Sequence, residues 1–175
     1  MFRSPKQQGE WVELQFIARA SAQGLTVSKP WGDSVQYDFA VELGGRFHRV
    51  QVKGTASNDG TSYICNTTCS TPKKTMRARR KYTHDEVDFF AILIIPDDAW
   101  YIIPVKTEVR SRFCLAPRNP RNRYFRYLEA WDLLKDPDSR RSPVDRRNDQ
   151  PQRAQTAAND ADSQVPATED RMPST

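Results

Sequence analysis

Apolar and polar positions follow a readable rhythm up to about residue 134 and then lose it. Leu14, Ile17, Ala18 and Ala22 recur at helical spacing and Gly24 follows as a stop, so the pattern predicts a helix over 8–23. A short strand is expected over 25–28, ended by Lys29-Pro30-Trp31-Gly32-Asp33. Positions 36–43 alternate and run into Gly44-Gly45, a hairpin signal, and 46–53 return with Phe47, Val50 and Val52. Further strands are expected over 61–66, 87–95 and 100–103, the last two joined across Asp97-Asp98. Tyr124, Tyr127, Leu128, Trp131 and Leu134 would share one face of a closing helix over 123–134. A helix, several strands and a second helix make an α/β domain with a mixed sheet.

The loss of rhythm marks a boundary. Residues 137–175 are rich in Pro, Asp, Arg, Gln, Ala, Ser and Thr, hold no aromatic residue and almost no branched apolar one. Such a segment buries too little apolar surface to offset its chain entropy. Residues 1–136 therefore read as the folded domain and 137–175 as a disordered polar tail. The longest apolar stretch, 89–96, has strand length, which excludes a membrane-spanning helix. The first residues lack the apolar core of a secretory signal. Three cysteines do not make a disulfide framework, so a cytoplasmic protein with buried structural thiols at Cys65, Cys69 and Cys114 is expected. The net charge of the chain is +5. The tail contributes −1, which leaves +6 on residues 1–136 and favours a polyanionic partner for the domain.

The hairpin holds the chemically informative residues. In a strand over 46–53, Gln51 and Lys53 share one face and Val50 and Val52 the other. A regular turn at Gly44-Gly45 sets Asp38 opposite Gln51, so Asp38, Gln51 and Lys53 can cluster at one end of the hairpin. A hard cation prefers oxygen ligands, and Asp38, the Gln51 amide and the Val52 carbonyl supply them. With Lys53 nearby, such a group fits phosphodiester hydrolysis. A hairpin with one solvated polar face would show the same spacing. On the first helix, Glu13 sits at the edge of the apolar face beside Phe16, Ile17 and Ala20, and Glu10 lies one turn earlier. An acid pair near a helix N-terminus is also favoured by the helix dipole alone. No Ser or Cys triad and no phosphate-cradling glycine loop is evident. His48 and His84 are expected to pack or to be solvated.

Several segments, in order, carry a resemblance. They are Gly9-Glu10-Trp11-Val12-Glu13, Gly24-Leu25, Pro30-Trp31-Gly32-Asp33, Tyr37-Asp38 and Val50-Gln51-Val52-Lys53. Later come Tyr82-Thr83, Val87-Asp88-Phe89-Phe90-Ala91, Trp100-Tyr101-Ile102-Ile103-Pro104 and Ala130-Trp131-Asp132-Leu133-Leu134. Over about 7–134 the chain resembles the PD-(D/E)XK nuclease superfamily, and within it the group I intron homing endonuclease type and its stand-alone bacterial relatives. The resemblance implies a restriction endonuclease-like core, a mixed central sheet flanked by helices, and metal-dependent cleavage of double-stranded DNA. It implies Glu13, Asp38, Gln51 and Lys53 as catalytic residues, with Asp38, Gln51, Val52 and Glu13 around Mg²⁺ and Mn²⁺ as a substitute. Gln51 stands where most of the superfamily has Asp or Glu, and the homing endonuclease type is similar in having Gln there. Archaeal Holliday junction resolvases share a similar arrangement, so a junction-selective nuclease is an alternative. A catalytically silent DNA-binding module of the same fold is another.

DNA as partner also fits the charge. Lys73, Lys74, Arg77, Arg79, Arg80 and Lys81 place six cations within nine residues, suited to neutralising phosphates, and Arg118, Arg121, Arg123 and Arg126 form a second group. Cleavage of both strands usually takes two active sites, so a homo-oligomer is expected.

Overall fold

The computed structural model describes residues 2–32, 34–43, 45–70, 79–108 and 110–135. The tail expected at 137–175 and the cations Lys73, Lys74 and Arg77 lie outside them. The first element is helix α1 (Pro5–Ala22). Ser4 caps it by accepting the Gln7 N–H at 3.1 Å, and Pro5 opens it, where its missing N–H costs nothing. Val12, Phe16 and Ala20 are its buried residues, four apart, whereas Leu14 is 63% exposed. The inward face therefore differs from the one that the 14/17/18/22 spacing predicts, because the aromatic Phe16 has more surface to bury.

The central sheet has five strands in the order β1 (Thr26–Ser28), β2 (Phe39–Leu43), β3 (Arg46–Thr55), β7 (Phe89–Ile94) and β8 (Ala99–Pro104). Only the β3–β7 pair is parallel. The crossover between those two strands carries β4 (Tyr63–Asn66), β5 (Thr68–Ser70) and β6 (Arg79–Lys81), and β9 (Arg112–Leu115) follows β8. β4 pairs with β9 and β5 with β6. The mixed α/β architecture is as expected, and β5, β6 and β9 add to the strands that the pattern predicts. The hairpin register runs from Leu43↔Arg46 to Phe39↔Val50, the register that a turn at Gly44-Gly45 dictates.

Two apolar layers enclose the sheet. On the α1 side Val12, Phe16 and Ala20 meet Phe39, Val41, Val50, Val52, Phe89, Ala91 and Trp100. On the other side Phe90, Ile92, Tyr101 and Ile103 meet Cys65, Tyr82, Phe113, Tyr124 and Tyr127. β7 is buried on both faces, which accounts for its unbroken apolar run. Cys65 and Cys69 are buried thiols as expected, whereas Cys114 is exposed.

The closing segment corrects an expectation. In place of one helix over 123–134 there are two 3-10 turns, Phe125–Tyr127 and Trp131–Leu134. Glu129 breaks the run with φ 49°. Its N–H donates to the Trp100 carbonyl at 2.7 Å, and its carboxylate accepts the Trp100 N–H at 2.7 Å and the Trp131 indole N–H at 2.8 Å. Three bonds to β8 and to a core indole outweigh continued helix. Tyr124 and Tyr127 still bury together, because a spacing of three aligns them on a 3-10 turn as well.

α1 lies against β3 at Gly54. A Cβ there would stand 2.5 Å from Val12 Cγ2, and Val12 is a β-branched helical residue with little rotamer freedom. Gly54→Ala is expected to destabilise the fold by about 1–3 kcal/mol. Combining it with Val12→Ala should cost less than the two single losses together, as read by urea denaturation of the four proteins. Strict additivity would show that close approach to Val12 is not what Gly54 preserves.

Candidate active site

β3 is longer than β2. Pairing with β2 ends at Phe39↔Val50, and β3 continues to Thr55. Beyond that point the β2 side of β3 is open, and Val52 turns its N–H to it. Asp38, one residue before β2, fills the gap: its N–H donates to the Val50 carbonyl at 3.0 Å, and its Oδ2 accepts the Val52 N–H at 2.8 Å. Asp38 Oδ2 also accepts a bond from Gln51 Nε2. In a strand the C=O of a residue points the same way as its N–H, so the Val52 carbonyl faces the same opening.

The opening is a cleft of about 310 Å³ lined by Asp38, Gln51, Val52, Lys53 and Gly54 from the sheet side and by Pro5, Gln8, Gly9, Val12 and Glu13 from α1. The residues that the sequence singles out, Glu13, Asp38, Gln51, Val52 and Lys53, thus line one cavity. Gln51 is buried. The Lys53 ammonium lies 5.9 Å from the centre of the Tyr82 ring. Glu13 Oε2 accepts a bond from Lys29 Nζ at 2.8 Å.

Burial pushes the Asp38 carboxyl above the ordinary aspartate range, and the Glu13 charge adds to this. The Lys53 charge, the Val52 N–H and the Gln51 amide oppose the shift without cancelling it. The Asp38 carboxylate is therefore short of stabilisation. Glu13 holds the Lys29 ammonium charged beyond its usual range, with smaller help from Asp38 and Glu10. Burial likewise pushes the Tyr82 hydroxyl and the Cys65 thiol up, the latter to about 12, so neither ionises at neutral pH.

The donors at the cleft suit a hard divalent cation: two carboxylates, a backbone carbonyl and an amide oxygen. Gln51 is a donor to Asp38, and its oxygen would reach a cation only with the amide turned over. Among the described residues no three His, Cys, Asp or Glu side chains cluster as metal ligands, so neutral oxygens and water would complete the coordination. Of the first basic cluster, Arg79 and Lys81 are exposed, while Arg80 is engaged in a two-pronged bond with Glu86. Lys29 and Tyr82 join the site through Glu13 and Lys53. No spacing rule connects Lys29 to Glu13 or Tyr82 to Lys53, since each pair meets only through tertiary packing.

The mixed sheet with α1 packed against β3 is the architecture that the resemblance to PD-(D/E)XK nucleases implies. The chain belongs to the PD-(D/E)XK endonuclease family, whose model matches residues 3–134, and is by that membership a nuclease. It is also similar to the solved structure of a bacterial homing endonuclease, I-Ssp6803I, with a TM-score of 0.65 and 28% sequence identity. The match covers 75% of this chain and 93% of that one. No curated protein matches the sequence. Among the described residues no helix is long and apolar enough to cross a membrane.

A raised carboxyl pKa has a consequence for stability. Folding disfavours ionised Asp38, so the wild type loses stability as pH rises through the folded-state value, while Asn at that position carries no charge to penalise. The melting temperature of Asp38→Asn relative to wild type, measured in chelator, should rise from pH 3.8 to 7. A difference that shrinks over that range would contradict the assigned direction.

Proposed function

We propose that this protein is a metal-dependent endonuclease that hydrolyses phosphodiester bonds in double-stranded DNA. The observation that carries the reading is the meeting of Asp38, Glu13, Gln51, the Val52 carbonyl and Lys53 at the open edge of β3, in a chain of an endonuclease family. Mg²⁺, with Mn²⁺ as a substitute, fits the oxygen donors. When bound, the cation supplies positive charge at the phosphate and makes water a stronger acid.

The chain's own groups have separable tasks. The two bonds to Asp38 both land on Oδ2, which fixes the carboxylate and leaves Oδ1 for a cation. Glu13 adds a second carboxylate, once freed from Lys29. Lys53 orients water and steadies the charge that builds on the phosphate. Exposed Arg79 and Lys81, with Arg80, Lys73, Lys74 and Arg77, are proposed to hold neighbouring phosphates. Two copies of the chain would cut the two strands, and free thiols such as Cys65 and Cys69 suit the reducing cytoplasm.

The test is cleavage of plasmid and duplex DNA. Activity should need Mg²⁺ or Mn²⁺, vanish in chelator, and fall about 10²–10³-fold in Lys53→Ala and at least as far in Asp38→Ala. Equal cleavage by wild type and both variants would reject the assignment. Cutting confined to four-way junctions would instead identify a junction-selective enzyme, and tight binding with no cleavage in either metal a silent module.

A further inference from the structure

The turn after β8 buries a carboxylate within a basic surface. The Glu108 side chain is only 5% exposed, and the Glu108 N–H donates to the carbonyls of Pro104 and Val105. Three guanidinium groups converge on it. Arg123 Nη2 lies 3.1 Å from Oε1 and 2.9 Å from Oε2, Arg126 Nη2 lies 3.4 Å from Oε1, and Arg110 Nε lies 3.6 Å from Oε2. A buried carboxylate must be compensated, and Arg123, reaching both oxygens, already does so. Arg126 and Arg110 stand farther off and, among the described residues, leave the cluster with two positive charges in excess. Concentrating like charge in this way creates a positive local potential that attracts anions.

The cluster is also built for presentation. The side chains of Arg110, Arg123 and Arg126 are 48%, 54% and 63% exposed. Arg126, on the Phe125–Tyr127 turn, and Arg123, just before it, both reach Glu108. Each guanidinium sits over the ring of the tyrosine that follows it, Arg123 at 4.9 Å from Tyr124 and Arg126 at 4.8 Å from Tyr127. Stacking against a ring and pairing with Glu108 hold the planar groups still while their remaining N–H edges face solvent. A held guanidinium fork matches a phosphate better than a mobile ammonium does.

Its place in the sheet relates it to the cleft. Phe39, Val50, Phe89 and Pro104 form one row across β2, β3, β7 and β8. Asp38 and the cleft lie on one side of this row and the turn that carries Glu108 leaves it on the other, β2 and β8 being about 15 Å apart along the row at the usual strand spacing. Tyr82, beneath Lys53, and Tyr124, beneath Arg123, belong to the same buried layer. A duplex with one phosphate in the cleft carries others well beyond this distance. We infer that Arg110, Arg123 and Arg126, gathered by Glu108, anchor the phosphate backbone of duplex DNA away from the bond that is cut. This rests on the proposed DNA substrate.

The experiment is equilibrium binding of a labelled duplex in chelator, so that nothing is cut, across a series of salt concentrations. Arg110→Gln with Arg126→Gln leaves the short Arg123–Glu108 pair in place, and a melting curve checks that the fold is kept. The double variant should bind more weakly, and the slope of log K against log salt should flatten by about 0.9 for each phosphate no longer neutralised, hence by about 2. A folded double variant with wild-type affinity and slope overturns the inference alone, provided that the wild type binds and cuts. A wild type that binds no duplex removes the DNA substrate reading and this inference with it.

Discussion

A strand that outruns its neighbour leaves peptide groups without a partner, and in this protein the deficit falls on Val52. The Asp38 carboxylate supplies the missing acceptor. That single bond ties the loop before β2 to the exposed edge of β3, and it draws a charged group into a half-buried position where charge is unfavourable. The rest of the site follows from this. Gln51 is on the same edge because the hairpin register puts it opposite Asp38, and Lys53 follows two residues later on the same face.

The other wall of the cleft is α1, and its approach depends on the missing side chain of Gly54. Close packing at Val12 brings Glu13, the next residue, to the rim. Two carboxylates, Asp38 and Glu13, then share a small volume with two ammonium groups, Lys53 and Lys29, and the set is formally neutral. Lys29 is the looser partner, at 63% exposure against 26% for Glu13. In the proposed reaction an entering cation takes over the compensation that Lys29 gives in its absence, and Lys53 remains on the sheet for the phosphate.

The hairpin is legible from residues alone, because a two-glycine turn fixes register and register fixes faces. Asp38, Gln51 and Lys53 can thus be grouped from their spacing. Glu13 needs the helix period and the family resemblance together. Lys29 and Tyr82 are invisible at that level, since they reach the site through packing that no local spacing encodes. The same distinction explains where pattern and fold part. Periodicity ranks all apolar positions of α1 alike, while packing favours Phe16 over Leu14 as the inward residue. Tyr124, Tyr127 and Trp131 fit an α-helical period in the closing segment, but Glu129 bonds to Trp100, 29 residues earlier, and the chain turns away.

Two glutamates in the second half of the domain show what decides between structural and interactive charge. Glu129 accepts from neutral N–H donors of Trp100 and Trp131, which fastens the segment around it to β8. Glu108 is deeper and is met by guanidinium groups in excess of its own charge. One arginine balances its charge, and the other two add positive charge beyond it. The cleft, by contrast, balances its charges within itself. A polyanion running from the cleft to the Glu108 turn would find neutral ground with a displaceable lysine at one end and a fixed positive surface at the other. In that arrangement binding strength comes from the arginines, and the cleft is left free to favour the charge that develops during cleavage.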